Sequence, residues 1–160
     1  MLKMLKLNNI SAIGIDTKTE KFNTCNENGA EFSVSPMEND LKNKIADFSK
    51  SNDLDVVIDF VSSKSSLELG CSILGKGGRL VTLGGSGEQF LANSADMLVK
   101  ELELIGSRYC TKQELKESLD LYARGLIEPL VSVKTDFDGA ESLHDKIEKG
   151  EITGRAGILI

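Results

Sequence analysis

Four apolar runs of strand length, "ISAIGID" (10–16), "LDVVIDF" (54–60), "GRLVTLG" (78–84) and "LELIGSRY" (102–109), are separated by long segments, some with helical spacing. Antiparallel neighbours can be joined by a tight turn, whereas parallel neighbours need a crossover of about a dozen residues or more. The chain therefore reads as a doubly wound α/β domain with a mostly parallel sheet. The second and third runs are nearly continuous in Val, Ile and Leu, as strands covered on both faces are. A weaker strand, "EFSVS" (31–35), follows the first.

The helical segments are patterned as crossovers. In "SSLELGCSILGK" (65–76) Leu67, Cys71 and Leu74 fall on one face, and Gly77 and Gly78 supply a stop. "TKQELKESLDLYARG" (111–125) carries Leu115, Leu119 and Tyr122 on its apolar side and ends on Gly125. "LVSVKTDF" (130–137), a helix over "GAESLHDKIEKG" (139–150) and the strand "AGILI" (156–160) complete the order. With only two prolines, Pro36 and Pro129, and no low-complexity linker, residues 1–160 read as one domain.

Composition removes several function classes. Apolar residues at 40% and charged residues at 28% describe a chain that folds. A net charge of −6 repels a polyphosphate backbone, so no nucleic-acid partner is expected. No apolar run approaches the roughly 18 to 20 residues that span a bilayer, so no membrane partner is expected and a cytoplasmic location follows. Cys25, Cys71 and Cys110 lack metal-ligand spacing and have one histidine, His144, to join them, so no metal site is expected. His144 has no nucleophile or second histidine at a useful spacing and reads as solvated. Glu101 and Glu103 alternate with leucines, as on the outer face of a strand.

A strand ending on an acid, as "ISAIGID" ends on Asp16, suits a dinucleotide-binding unit, where a carboxylate about 20 residues beyond a glycine-rich loop accepts the adenosine ribose hydroxyls. Counting back from Asp16 passes Met1, so the loop is expected to precede residue 1, and "MLKMLKLNN" reads as the last turns of the helix behind it. "GKGGRL" (75–80) and "GSGEQF" (85–90) fail as substitutes, because Leu80 and Phe90 stand where the third glycine belongs.

The stretches "AIGIDTKTEKF", "NGAEFSVSP", "LDVVIDFVSSKSSLELGCSILGKGGRLVTLGG", "LELIGSRYCTKQELKESLDLYARGLIEPLV" and "GEITGRAGILI" occur in an order that resembles the C-terminal half of the medium-chain, zinc-type alcohol dehydrogenases. The resemblance implies a Rossmann-like domain, truncated before its first strand and glycine-rich loop, that binds NAD for hydride transfer between an alcohol and a carbonyl. It places zinc and the proton relay in a catalytic domain absent from this chain, which alone is expected to be inactive and to bind NAD weakly or not at all.

Carried over position by position, the resemblance gives Asp16 to the adenosine ribose, favouring NAD over NADP, with Lys21 reaching the same sugar. Phe60 and Val61 fall at the carboxyl edge of a strand, where ligands of open α/β sheets sit. Relatives often have glycine where Ser62 stands. Leu83, Gly84 and Gly85 match the segment whose backbone faces the nicotinamide, Ser107 and Arg108 the next strand end, and Arg155 an arginine on the pyrophosphate. The family pairs the strand matching 102–109 with its twin, so a homodimer through that edge is expected. The family's first strand would lie between the strands ending at Asp16 and Phe60. Its place is expected to be taken by domain swapping, by residues 1–9 or by pairing between chains.

Two other readings stay open. One is a non-catalytic dimerisation or partner-binding module. The other is a methyltransferase-like domain, which explains neither "GRAGILI" nor the helix after "LELIGSRY". Titration with NADH and with S-adenosylmethionine separates the three.

Overall fold

Helix starts in this chain are written by side chains that satisfy the free amides of a first turn. Ser63 accepts the amide of Ser66, and Ser66 Oγ accepts the amide of Ser63 in return, opening the helix Lys64–Ile73. Thr111 and Glu114 form the same reciprocal pair ahead of Lys112–Ala123. Asn93 accepts the amides of Ala95 and Asp96 to open Ser94–Lys100. The computed structural model in which these contacts are seen describes residues 1–49 and 54–160.

In chain order the elements are α1 (Leu2–Leu7), β1 (Gly14–Ile15), a 3-10 turn (Thr19–Lys21), α2 (Phe22–Glu27), β2 (Ser33–Val34) and α3 (Leu41–Ser49). Then come β3 (Leu54–Asp59), α4 (Lys64–Ile73), β4 (Leu74–Thr82), α5 (Ser94–Lys100) and β5 (Glu103–Gly106). The chain ends with α6 (Lys112–Ala123), β6 (Val131–Thr135), α7 (Ala140–Glu148) and β7 (Arg155–Ile158). Every strand pairing among the described residues is parallel: β1 with β2, β3 with β4, β4 with β5, and β6 with β7. This is the doubly wound, Rossmann-like α/β pattern that the alternating runs specify.

The described residues divide into two units, Met1–Val34 with Thr111–Ile160, and Ser35–Cys110. In the first unit Ala30, Val34 and Leu143 are buried. Lys18 Nζ donates to the Gly150 carbonyl at 2.7 Å, tying the loop after β1 to the turn beyond α7. A cation on carbonyls at the end of a helix is favourable, because those carbonyls lack partners within the helix. In the second unit Leu67, Leu74 and Leu80 form a buried cluster, packed against by Leu54, Val57, Cys71, Phe90 and Leu102. Gly70 makes room for it: a Cβ there would stand 2.9 Å from Leu80 Cδ1. Burial pushes the Cys71 thiol up from its ordinary pKa, as an apolar surrounding disfavours a thiolate.

Several boundaries differ from the sequence reading. α4 stops at Ile73, before Gly77 and Gly78, because Leu74 already pairs with Leu54 and the glycines lie in a register irregularity of β4. α5 lies where the sequence reading places no element. Glu103 belongs to β5, but Glu101 caps α5 in a left-handed conformation, outside any strand. Arg155 is the first residue of β7 and does not precede it. Leu115, Leu119 and Tyr122 share a face of α6, as the spacing predicts, yet all three are exposed. Nor is β3 covered on both faces: Val56 is 47% exposed. Residues 2–7 are helical, so they do not supply a strand beside β1 or β3. Among the described residues each of those strands has one partner.

Two tests follow from the packing and the caps. Leu74 is 0% exposed. Leu74→Ala is expected to lower unfolding stability by about 2–5 kcal/mol, read from urea midpoints at unchanged slope. Glu114 accepts the Thr111 amide, and that hydrogen bond holds its carboxyl below the ordinary carboxylate pKa. A carboxyl whose pKa is lower in the folded chain adds stability above its unfolded value, and that stability is lost as pH falls through the folded value. The first turn of α6 is therefore expected to loosen on acidification below the ordinary carboxylate range, seen as faster Thr111 amide exchange. Glu114→Gln is expected to abolish that pH dependence.

Candidate functional site

Parallel pairing brings the carboxyl ends of β3, β4 and β5 to one edge of a three-stranded sheet. The pairing continues past the strands themselves: the Leu83 amide donates to the Asp59 carbonyl at 2.8 Å and the Ser107 amide to the Thr82 carbonyl at 2.9 Å. Phe60, Val61, Leu83, Gly84 and Ser107 are thus gathered along this edge, as the sequence reading expects of residues at strand ends.

The organising residue on this edge is one that the sequence reading passes over. Asp59, the last residue of β3, is buried. Its Oδ1 accepts the amides of Val61 at 2.8 Å and Ser62 at 2.9 Å, and its Oδ2 accepts the Ser66 hydroxyl at 2.7 Å. A buried carboxylate is tolerated when its oxygens are met in this way. The residue after the knot, Ser62, takes φ +56°, a left-handed backbone that suits glycine better than serine. Ser62 is held by a hydrogen bond shared between its hydroxyl and that of Thr82, and by the Ser86 hydroxyl donating to its carbonyl. Folding the turn inward leaves Phe60 57% and Val61 66% exposed.

Gly84 is required by this packing. A Cβ there would lie 2.5 Å from the Val61 carbonyl oxygen and 2.8 Å from that of Phe60. Backbone atoms of a knotted turn cannot move aside cheaply, so the glycine permits the close approach of two chain segments. Gly85 faces open space. Beyond it the loop folds back on α4: Glu88 Oε2 accepts the Lys64 amide at 2.7 Å and Glu68 Oε1 accepts the Leu91 amide at 3.2 Å. Arg108 turns onto its neighbour, with its guanidinium carbon 4.6 Å from the Tyr109 ring centre and Nη2 donating to the Tyr109 hydroxyl at 2.9 Å.

In the first unit Asp16 follows β1 directly and is half-buried. Its Oδ1 accepts the Lys18 amide at 2.9 Å, so one oxygen closes the turn. Among the described residues its second oxygen has no partner and is open to accept. Lys21 ends the 3-10 turn, half-buried, and Arg155 opens β7, exposed. Among the described residues neither side chain has an ion pair. His144 is exposed on α7. No group of three or more His, Cys, Asp or Glu among the described residues could hold a metal ion, so they do not fit a zinc site.

A sequence profile of the zinc-binding dehydrogenases matches residues 1–124. An alcohol dehydrogenase of Geobacillus stearothermophilus is 23% identical over 154 residues, which are 96% of this chain and 44% of that protein. An NAD-dependent alcohol dehydrogenase of Sulfolobus acidocaldarius is 27% identical over 145 residues, 89% of this chain and 41% of its own length. The crystal structure of the alcohol dehydrogenase from Aeropyrum pernix superposes with a TM-score of 0.86 at 26% identity, covering 97% of this chain and 44% of that one. The chain thus spans less than half the length of these relatives. With more than three quarters of its residues matched by one family profile, and with the parallel architecture that its strand order demands, the chain belongs to the zinc-binding dehydrogenase family.

Proposed function

We propose that this chain is the nicotinamide-dinucleotide-binding portion of an NAD-dependent alcohol dehydrogenase. The observation that carries the reading is the carboxyl edge of β3, β4 and β5. There Phe60 and Val61 stand exposed beside the backbone of Gly84, at the place where open α/β sheets take their ligands. The Sulfolobus acidocaldarius relative, named as NAD-dependent, supports the choice of cofactor.

In this reading Asp16 accepts the adenosine ribose hydroxyls through its open oxygen and repels a 2′-phosphate, so NAD is preferred to NADP. Lys21 reaches the same sugar. Arg155, with a guanidinium matched to phosphate, grips the pyrophosphate. Phe60, Val61, Leu83, Gly84 and Gly85 line the nicotinamide half, with Ser107 and Arg108 at the next strand end. The cofactor supplies a hydride acceptor or donor; this chain binds it, orients it and excludes water from its ring. Zinc and the proton relay are assigned to the part of the relatives' length that this chain does not span, and residues 1–160 to a single dinucleotide-binding domain located in the cytoplasm.

A second reading, a non-catalytic dimerisation module, draws on β5, whose four residues are all exposed, Leu104 and Ile105 among them. The two readings share a proposed homodimer through the 102–109 edge. Successive amides of a strand point to opposite sides, and the Ser107 amide faces β4, so those of Leu104 and Gly106 face outward.

Titration with NADH, read by amide chemical shifts, is expected to give weak binding with shifts at Asp16, Phe60, Val61 and Gly84, and none with S-adenosylmethionine. Asp16→Asn is expected to weaken NADH by about tenfold. Absence of shifts at several millimolar NADH would leave the dimerisation reading. In light scattering the chain is expected at twice its own mass, and Leu104→Pro, which removes an outward donor, is expected to give monomers with the fold retained. A wild-type monomer would remove the edge-pairing proposal.

A further inference from the structure

The turn after β3 is more tightly specified than a connection needs to be. A buried carboxylate, a serine in left-handed backbone and a glycine against two carbonyls all fix the same three residues, Phe60, Val61 and Ser62. Its outcome runs against ordinary burial, since two large apolar side chains are held out at the tip. Strained backbone that its surroundings over-determine points to a function for the strained segment.

We infer that Asp59 is a positioning residue for cofactor binding. Its carboxylate sets the Phe60–Val61 step against which the flat ring of the dinucleotide packs, without itself touching the ligand. The inference rests on the NAD-binding reading above. The chemistry is local. Oδ1 gathers two consecutive amides, which forces the chain to turn within two residues of the strand end. Oδ2 takes the hydroxyl of Ser66, the residue that also closes the cap of α4, so the turn is fastened to the first turn of that helix. The Ser62–Thr82 hydrogen bond fastens it to the end of β4. The side chains of Phe60 and Val61, having no part in these bonds, are presented at a fixed height above the sheet edge.

Asp59→Asn keeps the shape of the side chain and removes the charge that holds both amides. In the 160-residue chain, exchange of the Val61 and Ser62 amides is expected to speed up about tenfold or more, while that of Leu80 in the core stays unchanged. NADH-induced shifts at Phe60 and Val61 are expected to be lost, and those at Asp16 retained. A purely structural role would weaken all shifts together or none, and either result overturns the inference. Unchanged shifts at Phe60 and Val61 with fast exchange overturn it too, since the ring would then not depend on the turn. Absence of NADH shifts throughout the wild-type chain defeats the NAD reading, and the positioning role with it; the amide exchange then still reports whether the carboxylate holds the turn, so the two failures are distinguished. Should Asp59→Asn not fold, Ser66→Ala removes the Oδ2 partner together with the acceptor of the Ser63 amide, and leaves Oδ1 with both of its amides. It is expected to shift the same readouts in the same direction by a smaller factor, and unchanged shifts there overturn the inference.

Discussion

Parallel pairing governs everything else in the second unit of this chain. Neighbouring strands that run the same way must be joined by a return over the sheet, so α4 and α5 exist because β3, β4 and β5 are parallel. The same constraint delivers the carboxyl ends of all three strands to one edge. The core follows: α4 lays Leu67 onto the sheet, where it meets Leu74 and Leu80, and Gly70 thins the helix enough for Leu80 to enter. With the helix fixed at that height, its first turn lies beside the end of β3, and Ser66 comes within reach of Asp59.

The edge so formed is shaped by hydrogen bonds between polar side chains and backbone. Asp59 draws the chain inward, Thr82 anchors Ser62 and the Ser86 hydroxyl donates to the Ser62 carbonyl. An apolar residue in place of Asp59 would leave the buried Ser62 amide without this acceptor, a cost of the order of 1–3 kcal/mol, and would also free the part-buried Val61 amide, whereas the Ser66 hydroxyl would keep the Ser63 carbonyl as its acceptor. Glu88 and Glu68 perform a similar service at longer range, accepting the Lys64 and Leu91 amides so that residues 86–91 lie along α4. Each carboxylate here is an acceptor for backbone that no strand or helix satisfies.

The period of the apolar pattern and the turn chemistry made the order of strands and helices legible in the residues alone. "LDVVIDF" and "GRLVTLG" are strands, as their apolar runs predict, though β3 is less covered than its run suggests, and "TKQELKESLDLYARG" carries both its cap, Thr111 with Glu114, and its stop, Gly125 at φ +68°. The place of Asp16 directly after a strand was legible because the apolar run stops on it. Asp59 was not, although it also ends a strand, because the apolar run continues past it through Phe60 and Val61 and hides the turn. The signal that could have found it is the pair of serines that follow, Ser63 and Ser66 at cap spacing, which mark the start of a helix and so place a turn directly after Asp59. The end of α4 was misplaced for a related reason: glycines at 77 and 78 suit a helix stop, but the pairing of Leu74 with Leu54 ends the helix sooner. A long-range hydrogen bond outweighed a local preference, and no local pattern can reveal that.

The free edges of the β1–β2 and β3–β4–β5 sheets can be ranked by the same physics. An unpaired edge is a template for another strand unless it is bent, charged or short. β1 and β2 are two residues each, too short to offer a continuous template. β3 is longer, but its register shifts between Leu54 and Val56, and Asp55 between them is exposed. β5 pairs with β4 without interruption from Glu103 to Gly106, and its one charge, Glu103, is held by Arg79 of β4 at 2.6 Å. A regular ladder keeps its outward amides and carbonyls evenly spaced, and Leu104 and Ile105 add half-exposed apolar surface on the strand's two faces. A twin strand would find on β5 a straight ladder and on β3 a kinked, charged one, so the proposed pairing between copies would form more hydrogen bonds on β5, at less cost in desolvated charge, than on β3.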